Sequence, residues 1–189
     1  ILSLVQLRQI NPKESVLVTG VKWDIKLLQQ VLVENDSSTV TVLDISMEKN
    51  IEALTNLLTK KTKVFYADHH RSGDIPQSKF LEAYIDLDAN TCTALIVDEL
   101  LEGKRHLWAI TAAYGDNLIE VADRLAKKAK LTREQASLLC ELGTLVNYNG
   151  YGESIDDLHF SPTDLYKSLV KYPSPFDCIL DEASVFHKL

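Results

Sequence analysis

Cysteine is scarce in this chain and unpatterned: Cys92, Cys140 and Cys178 are odd in number, far apart and without C-x-x-C spacing. That excludes a disulfide framework and a zinc knuckle, and it fits a reducing cytoplasm. Long apolar runs are missing as well. Ile1-Leu2-Ser3-Leu4-Val5 is broken by Gln6, Arg8 and Gln9, and no stretch reaches the ~20 apolar residues of a membrane span, so neither membrane insertion nor a signal peptide is expected. Positive charge is in deficit: the formal net charge is −7, which argues against a broadly basic surface that coats nucleic acid. Arg124, Lys127, Lys128 and Lys130 form a local positive cluster, read as a solvated helix face rather than a nucleic-acid contact. The chain also has no Gly-Gly pair, internal repeat or low-complexity tract.

What is present is the composition of a globular protein, with 46% hydrophobic and 25% charged residues over 189 positions, enough for one sizeable core. Residues 16–19, Val-Leu-Val-Thr, are β-prone and closed by Gly20, and 24–32 carries Ile25, Leu28 and Leu32 at helical spacing. The unit repeats after the turn-like Asn35-Asp36-Ser37-Ser38: a strand over 39–43, then a helix over 47–58 with Ile51, Leu54, Leu57 and Leu58 on one face. A third strand, 63–67, ends at Asp68, and 80–85 supplies a further short one. Strands alternating with helices predict an α/β fold with a doubly wound, mostly parallel sheet and flanking helices. The second half reads as helical. Asn90 or Thr91 can cap a helix ending at Gly103, and helices follow over 107–130 and 132–148, the last opened by the capping-box pattern Thr132-Arg133-Glu134-Gln135. A domain edge falls near Gly150, giving a domain over 1–150 and a linker or the start of a second domain over 151–189. The opening residues 1–8 look like a helix already under way.

In a doubly wound sheet the carboxyl ends of the strands face the ligand crevice, and Asp44 and Asp68 both sit just past predicted strands. His69 and His70 follow directly. In extended backbone they would point to opposite sides, one toward a metal and the other toward substrate. Gly115-Asp116-Asn117 offers a third acidic position, with Gly115 permitting close backbone approach or interrupting a helix. Carboxylates with some imidazole and no nearby thiolate suit Mn2+ first, with Mg2+ as the other choice, and two such ions support hydrolysis of a phosphoester or phosphoanhydride. Arg71, beside Ser72 and Gly73, is a candidate phosphate contact, although exposed loop arginines are common. Cys92 reads as a packed core thiol. His106 and His159 lack an acidic or histidine partner at metal spacing and read as surface or packing residues.

In the order Asp44, Asp68-His69-His70, Gly115-Asp116-Asn117, the chain resembles the DHH phosphoesterase superfamily over roughly residues 1–150. That family includes single-strand exonucleases, oligoribonucleases, cyclic-dinucleotide phosphodiesterases and manganese inorganic pyrophosphatases. The resemblance implies Asp44, His69 and Asp116 as metal ligands, Asp68 as a ligand or as the group that orients one, and His70 on the substrate phosphate. Asn90-Thr91-Cys92-Thr93 resembles the polar segment opening the helix after the triplet, where backbone N–H groups meet an anion, so Asn90 and Thr91 become substrate-binding candidates.

One departure stands out. Family members begin with an Asp-x-Asp motif, and nothing before Asp24 supplies it; Lys22-Trp23-Asp24 reads as helix-start chemistry. The expectation is that the first motif lies upstream of residue 1. The glycine-pair motif of the family's second domain is also missing. The resemblance thus implies a two-metal, cytoplasmic phosphohydrolase acting on short single-stranded oligonucleotides or nucleotide-derived substrates. A pyrophosphatase or polyphosphatase is the alternative enzyme, and a non-catalytic nucleotide-binding regulatory module with an incomplete site is the alternative from another class.

Overall fold

The structure, a computed structural model, describes residues 1–31 and 39–189. The end of the expected 24–32 helix and the turn at Asn35-Asp36-Ser37-Ser38 lie outside the described residues. Three strands, β1 (Thr39–Leu43), β2 (Lys63–Asp68) and β3 (Leu81–Ile85), form one parallel sheet in the order β1-β2-β3. Helix α1 (Leu2–Ile10) precedes it, α2 (Met47–Thr59) connects β1 to β2, and α3 (Thr93–Leu100) follows β3. The fold is α/β, with the parallel sheet flanked by helices.

Alternation along the strands decides what each face meets. Val40 and Val42, Val64 and Tyr66, and Leu81, Ala83 and Ile85 pack with Met47, Leu54 and Leu57 of α2. The intervening Leu43, Phe65, Ala67 and Tyr84 pack instead with Ile96 and Val97 of α3. Helix α2 forms where expected because Leu54 and Leu57 recur on its buried face and Ser46 caps it, accepting the Lys49 N–H, although Ile51, expected on that face, is exposed.

The helical half consists of α4 (His106–Gly115), α5 (Ile119–Lys128) and α6 (Arg133–Tyr148), then α7 (Pro162–Leu169) and α8 (Pro175–Leu180). The capping box at Thr132 is made: its hydroxyl accepts the Gln135 N–H at 3.2 Å, and Gln135 Oε1 accepts the Thr132 N–H at 2.9 Å. Beyond Gly150, Leu165, Leu169, Cys178, Ile179 and Val185 join one apolar cluster with Leu2, Val5, Trp108 and Leu142. Arg124, Lys127 and Lys128 are exposed on α5, which buries Val121, Ala122 and Ala126, and Lys130 is exposed just past its end. No helix among the described residues is long and apolar enough to cross a membrane.

Four expectations are corrected. Residues 16–19 form no strand: Val16 is 95% exposed, and the segment pairs with none of the three strands of the sheet. The described part of 24–32 holds only a short 3-10 turn, Leu27–Gln30. The Asn50 amide competes there for the backbone, donating to the Ile25 carbonyl at 2.7 Å and accepting the Leu28 N–H at 3.3 Å. Residues 107–130 form two helices rather than one, because the chain turns at Asp116-Asn117, with Asn117 at φ 61°. Helix α3 also starts later than expected, with Cys92 at its N-cap and no side-chain capping bond from Asn90 or Thr91.

Helices α4 and α6 touch through glycines. A Cβ on Gly115 would meet the Gly143 carbonyl oxygen at 2.5 Å, and one on Gly143 would meet that of Thr111 at 2.1 Å. Gly143→Ala should therefore be destabilising: the helix-propensity gain of about 1 kcal/mol is outweighed by overpacking of about 1–3 kcal/mol against backbone that cannot rotate away. A lowered urea midpoint is the expected result, and an unchanged or raised one would contradict the close approach.

Candidate metal centre

The site begins at the carboxyl ends of β1 and β2. The Asp44 N–H continues the ladder onto the Ala67 carbonyl at 3.1 Å, but Asp44 itself takes φ 66°, a left-handed conformation costing an L residue about 1–2 kcal/mol, less for Asp. This turns the chain out of the strand direction as soon as its last sheet bond is made. Buried Tyr66 holds the next residue by donating to the Ile45 carbonyl at 2.8 Å. Ser46 Oγ donates to the Arg71 carbonyl at 2.7 Å, so the loops after β1 and β2 are tied together.

On that frame, His69 Nε2 lies 3.4 Å from Asp44 Oδ1 and 3.7 Å from Asp116 Oδ2. Its Nδ1 is 3.1 Å from the Thr91 carbonyl, to which it donates, which orients Nε2 toward the carboxylates. Asp116 arrives at the C-terminal end of α4, the helix seated on α6 by Gly115. Three separate parts of the sequence thus converge on one imidazole.

Asp68 is fully buried, and its Oδ1 accepts from His70 Nδ1 at 2.7 Å. Its other oxygen, Oδ2, is buried without a hydrogen-bond partner, an arrangement that is costly unless something cationic or protic stands nearby. The two imidazole rings were expected on opposite sides, but their centroids are only 4.4 Å apart. The strand ends at Asp68, and 69–70 bend rather than extend. Asp44, His69 and His70 each bring a ligand atom within 4.8 Å of the others.

Electrostatics follow from this crowding of acids. The Asp44 carboxyl is pushed up by loss of solvent, but hydrogen bonds from His69 and Thr93 and the nearby α-amino group of Ile1 outweigh this and hold it below the usual carboxylate range. Asp116 is shifted upward, first by burial and then by the Asp44 charge. His69 is raised, chiefly by its hydrogen bond with Asp44, and His70 is raised by its hydrogen bond with Asp68. Cys92, beside the cluster, is driven up to about 12 by burial, so it is a neutral thiol and a core group, not a thiolate ligand. The donors are oxygen and imidazole nitrogen, a set that suits Mn2+ or Mg2+, and the unpartnered Asp68 oxygen fits a site that gains a cation.

The remaining candidates are placed as follows. Thr91 contributes its carbonyl to His69, while Asn90 is exposed and folded onto Asp88 through its N–H and amide. The exposed Arg71 side chain makes no ion pair among the described residues. It lines a cleft of ≈ 380 Å³ with His70, Ser46 and Lys22. His159 is exposed, but His106 does have an acidic partner, Asp98 Oδ2 at 2.6 Å, one helical turn and a loop away from it. Thr93 was missed: buried on the first turn of α3, it donates to Asp44 Oδ1 at 2.8 Å. Its position within the polar segment Asn90-Thr91-Cys92-Thr93 was the available signal. Lys22, whose charge offsets Asp116, had no signal beyond being a lone lysine.

In the metal-free protein, His69 and His70 should titrate by NMR above the ordinary imidazole value of ~6.5. Both folded-state values are raised, so their contribution to stability is complete below about pH 6.5 and is lost as pH rises through the folded values. Asp44 acts in the opposite sense: its folded value is lowered, so its contribution is present above ~3.9 and is lost as pH falls. Asp44→Asn should return the His69 midpoint toward 6.5 while leaving His70 raised, and an unmoved His69 would contradict the pairing. Comparison of the chain with protein-family models, with curated proteins and with solved structures finds no match.

Proposed function

We propose that this chain carries the metal-binding domain of a DHH-type phosphohydrolase that cleaves phosphodiester bonds in short single-stranded oligonucleotides or nucleotide-derived substrates in the cytoplasm. The observation that carries the reading is the approach of both Asp44 and Asp116 to His69 Nε2, at 3.4 and 3.7 Å. Nothing in a merely structural role requires two carboxylates and an imidazole from distant segments at the open end of a parallel sheet.

Asp44, His69 and Asp116 would hold manganese, or magnesium in its place. When bound, a pair of such ions supplies Lewis acidity toward the phosphate and lowers the pKa of the attacking water. The chain's own residues do the rest. Thr91 fixes the tautomer of His69, and Thr93 holds Asp44 in place. Asp68 keeps the His70 proton on Nδ1, turning Nε2 to the cleft it shares with Arg71. Its raised pKa keeps His70 charged closer to neutrality, so that it can donate to a phosphate oxygen or to the leaving alkoxide. His69 would give up its Nε2 proton to take a metal ion at that atom.

One observation favours the reading as a nucleotide-binding module without turnover: a single cluster of suitable ligands stands among the described residues, whereas the two-metal chemistry needs more.

With MnCl2, hydrolysis of a dinucleotide is expected, and Asp44→Asn or Asp116→Asn should abolish it. Asp68→Asn, which leaves the ligands in place, should lower metal affinity or turnover about 10- to 100-fold. Steady-state assays beside metal titration check this, and full activity in Asp44→Asn would sink the reading. Manganese binding without hydrolysis of dinucleotide or pyrophosphate would leave the binding module.

A further inference from the structure

We propose that Trp23, Tyr148 and Tyr151 form a stacking platform for a nucleobase of the substrate, next to the cleft that takes its phosphate. The inference deepens the phosphohydrolase reading and rests on it for where the phosphate goes. It assigns recognition of the base in those substrates to three named rings.

The three rings form an exposed group. Trp23 is 66% exposed, Tyr148 65% and Tyr151 46%. Trp23 and Tyr151 meet edge to face at 5.9 Å between centroids, and Tyr148 and Tyr151 are 6.4 Å apart. Leaving large apolar rings in water forgoes the gain that burial would bring. The chain also spends specific contacts on holding them there. Trp23 sits on a tight turn in which Asp24 Oδ2 accepts the Val21 N–H at 3.0 Å and the Val21 carbonyl accepts the Asp24 N–H at 3.0 Å. Gly20 is required beneath it, since a Cβ there would lie 2.2 Å from Asp24 Oδ2. The turn is clamped to the end of α6 by the Lys22 N–H donating to the Gly150 carbonyl at 2.9 Å. Trp23 is thus fixed beside the tyrosines by backbone bonds rather than carried on a loose loop.

Lys22 joins this platform to the chemistry. Its Nζ donates to Tyr151 Oη at 2.8 Å and to Asn147 Oδ1 at 2.9 Å, and it lines the same cleft as His70 and Arg71. A cation that contacts an aromatic ring and lines the same cleft as His70 and Arg71 suits a nucleotide, which joins an apolar base to an anionic phosphate. Stacking on π-faces tolerates every base, so the platform selects for the presence of a base and not for its identity. Pyrophosphate and polyphosphate would leave it unused.

Trp108 is fully buried, so ligand-induced changes in tryptophan emission report Trp23. The test uses the whole chain in EDTA, which separates binding from turnover, and compares a single-stranded dinucleotide with its abasic counterpart of equal charge by fluorescence and calorimetry. The dinucleotide should quench emission and bind about fivefold or more tightly than the abasic compound. Trp23→Ala and Tyr148→Ala should each bring that ratio toward one, while Trp23→Phe keeps most of it; all three side chains lie on the surface, and circular dichroism checks the fold. Equal affinity of the unaltered protein for the two compounds, or an undiminished ratio in Trp23→Ala, would overturn the platform. Turnover with manganese is measured separately: hydrolysis without base preference defeats the platform alone, and base preference without hydrolysis supports the platform while defeating the phosphohydrolase reading.

Discussion

His69 is the residue on which the arrangement at the sheet edge depends. Its Nδ1 is committed to the Thr91 carbonyl, ahead of α3, and its Nε2 faces Asp44 from β1 and Asp116 from α4. One imidazole therefore ties four segments, and it does so with a polarity that leaves two carboxylates beside a single nitrogen. Two like charges this close are unfavourable without a cation or proton between them. In the protein alone a proton on His69 meets that need, which explains the raised histidine and the lowered Asp44 together.

The rest of the fold makes this meeting reproducible. Parallel pairing brings the ends of β1 and β2 side by side, and the last ladder bond is made by the N–H of Asp44 itself. Helix α4 is almost wholly buried, and its glycine contact with α6 sets the depth at which Asp116 emerges. The same helix α6 ends at Tyr148, and the Gly150 carbonyl just past it holds the Lys22-Trp23 turn. Scaffold contacts far from any ligand atom thus fix both the acidic cluster and the aromatic group beside it.

Much of this was legible in the sequence where local pattern and tertiary context agree. The α2 stripe, the Thr132 capping box and the strands ending at Asp44 and Asp68 all follow from periodicity and capping chemistry. Reading failed where a local signal had no partner to realise it. Val16 to Thr19 is β-prone, yet a strand exists only with a neighbour, and Asn50 captured the backbone groups that a helix after Asp24 would have used. The shared direction of His69 and His70 depended on the chain leaving extended geometry at once after Asp68, which no propensity announces. Thr93 and the Asp98–His106 pair became visible only when helix packing brought them to their acids or bases.

The central claim is that Asp44, His69 and Asp116 together bind a divalent cation. Crystals of the protein soaked in MnCl2 and measured at the manganese absorption edge test it most directly. The account predicts an anomalous peak between the Asp44 and Asp116 carboxylates and His69 Nε2, one that vanishes in Asp44→Asn. Anomalous peaks only at other surface carboxylates, with His69 still bridging the two acids, would contradict it.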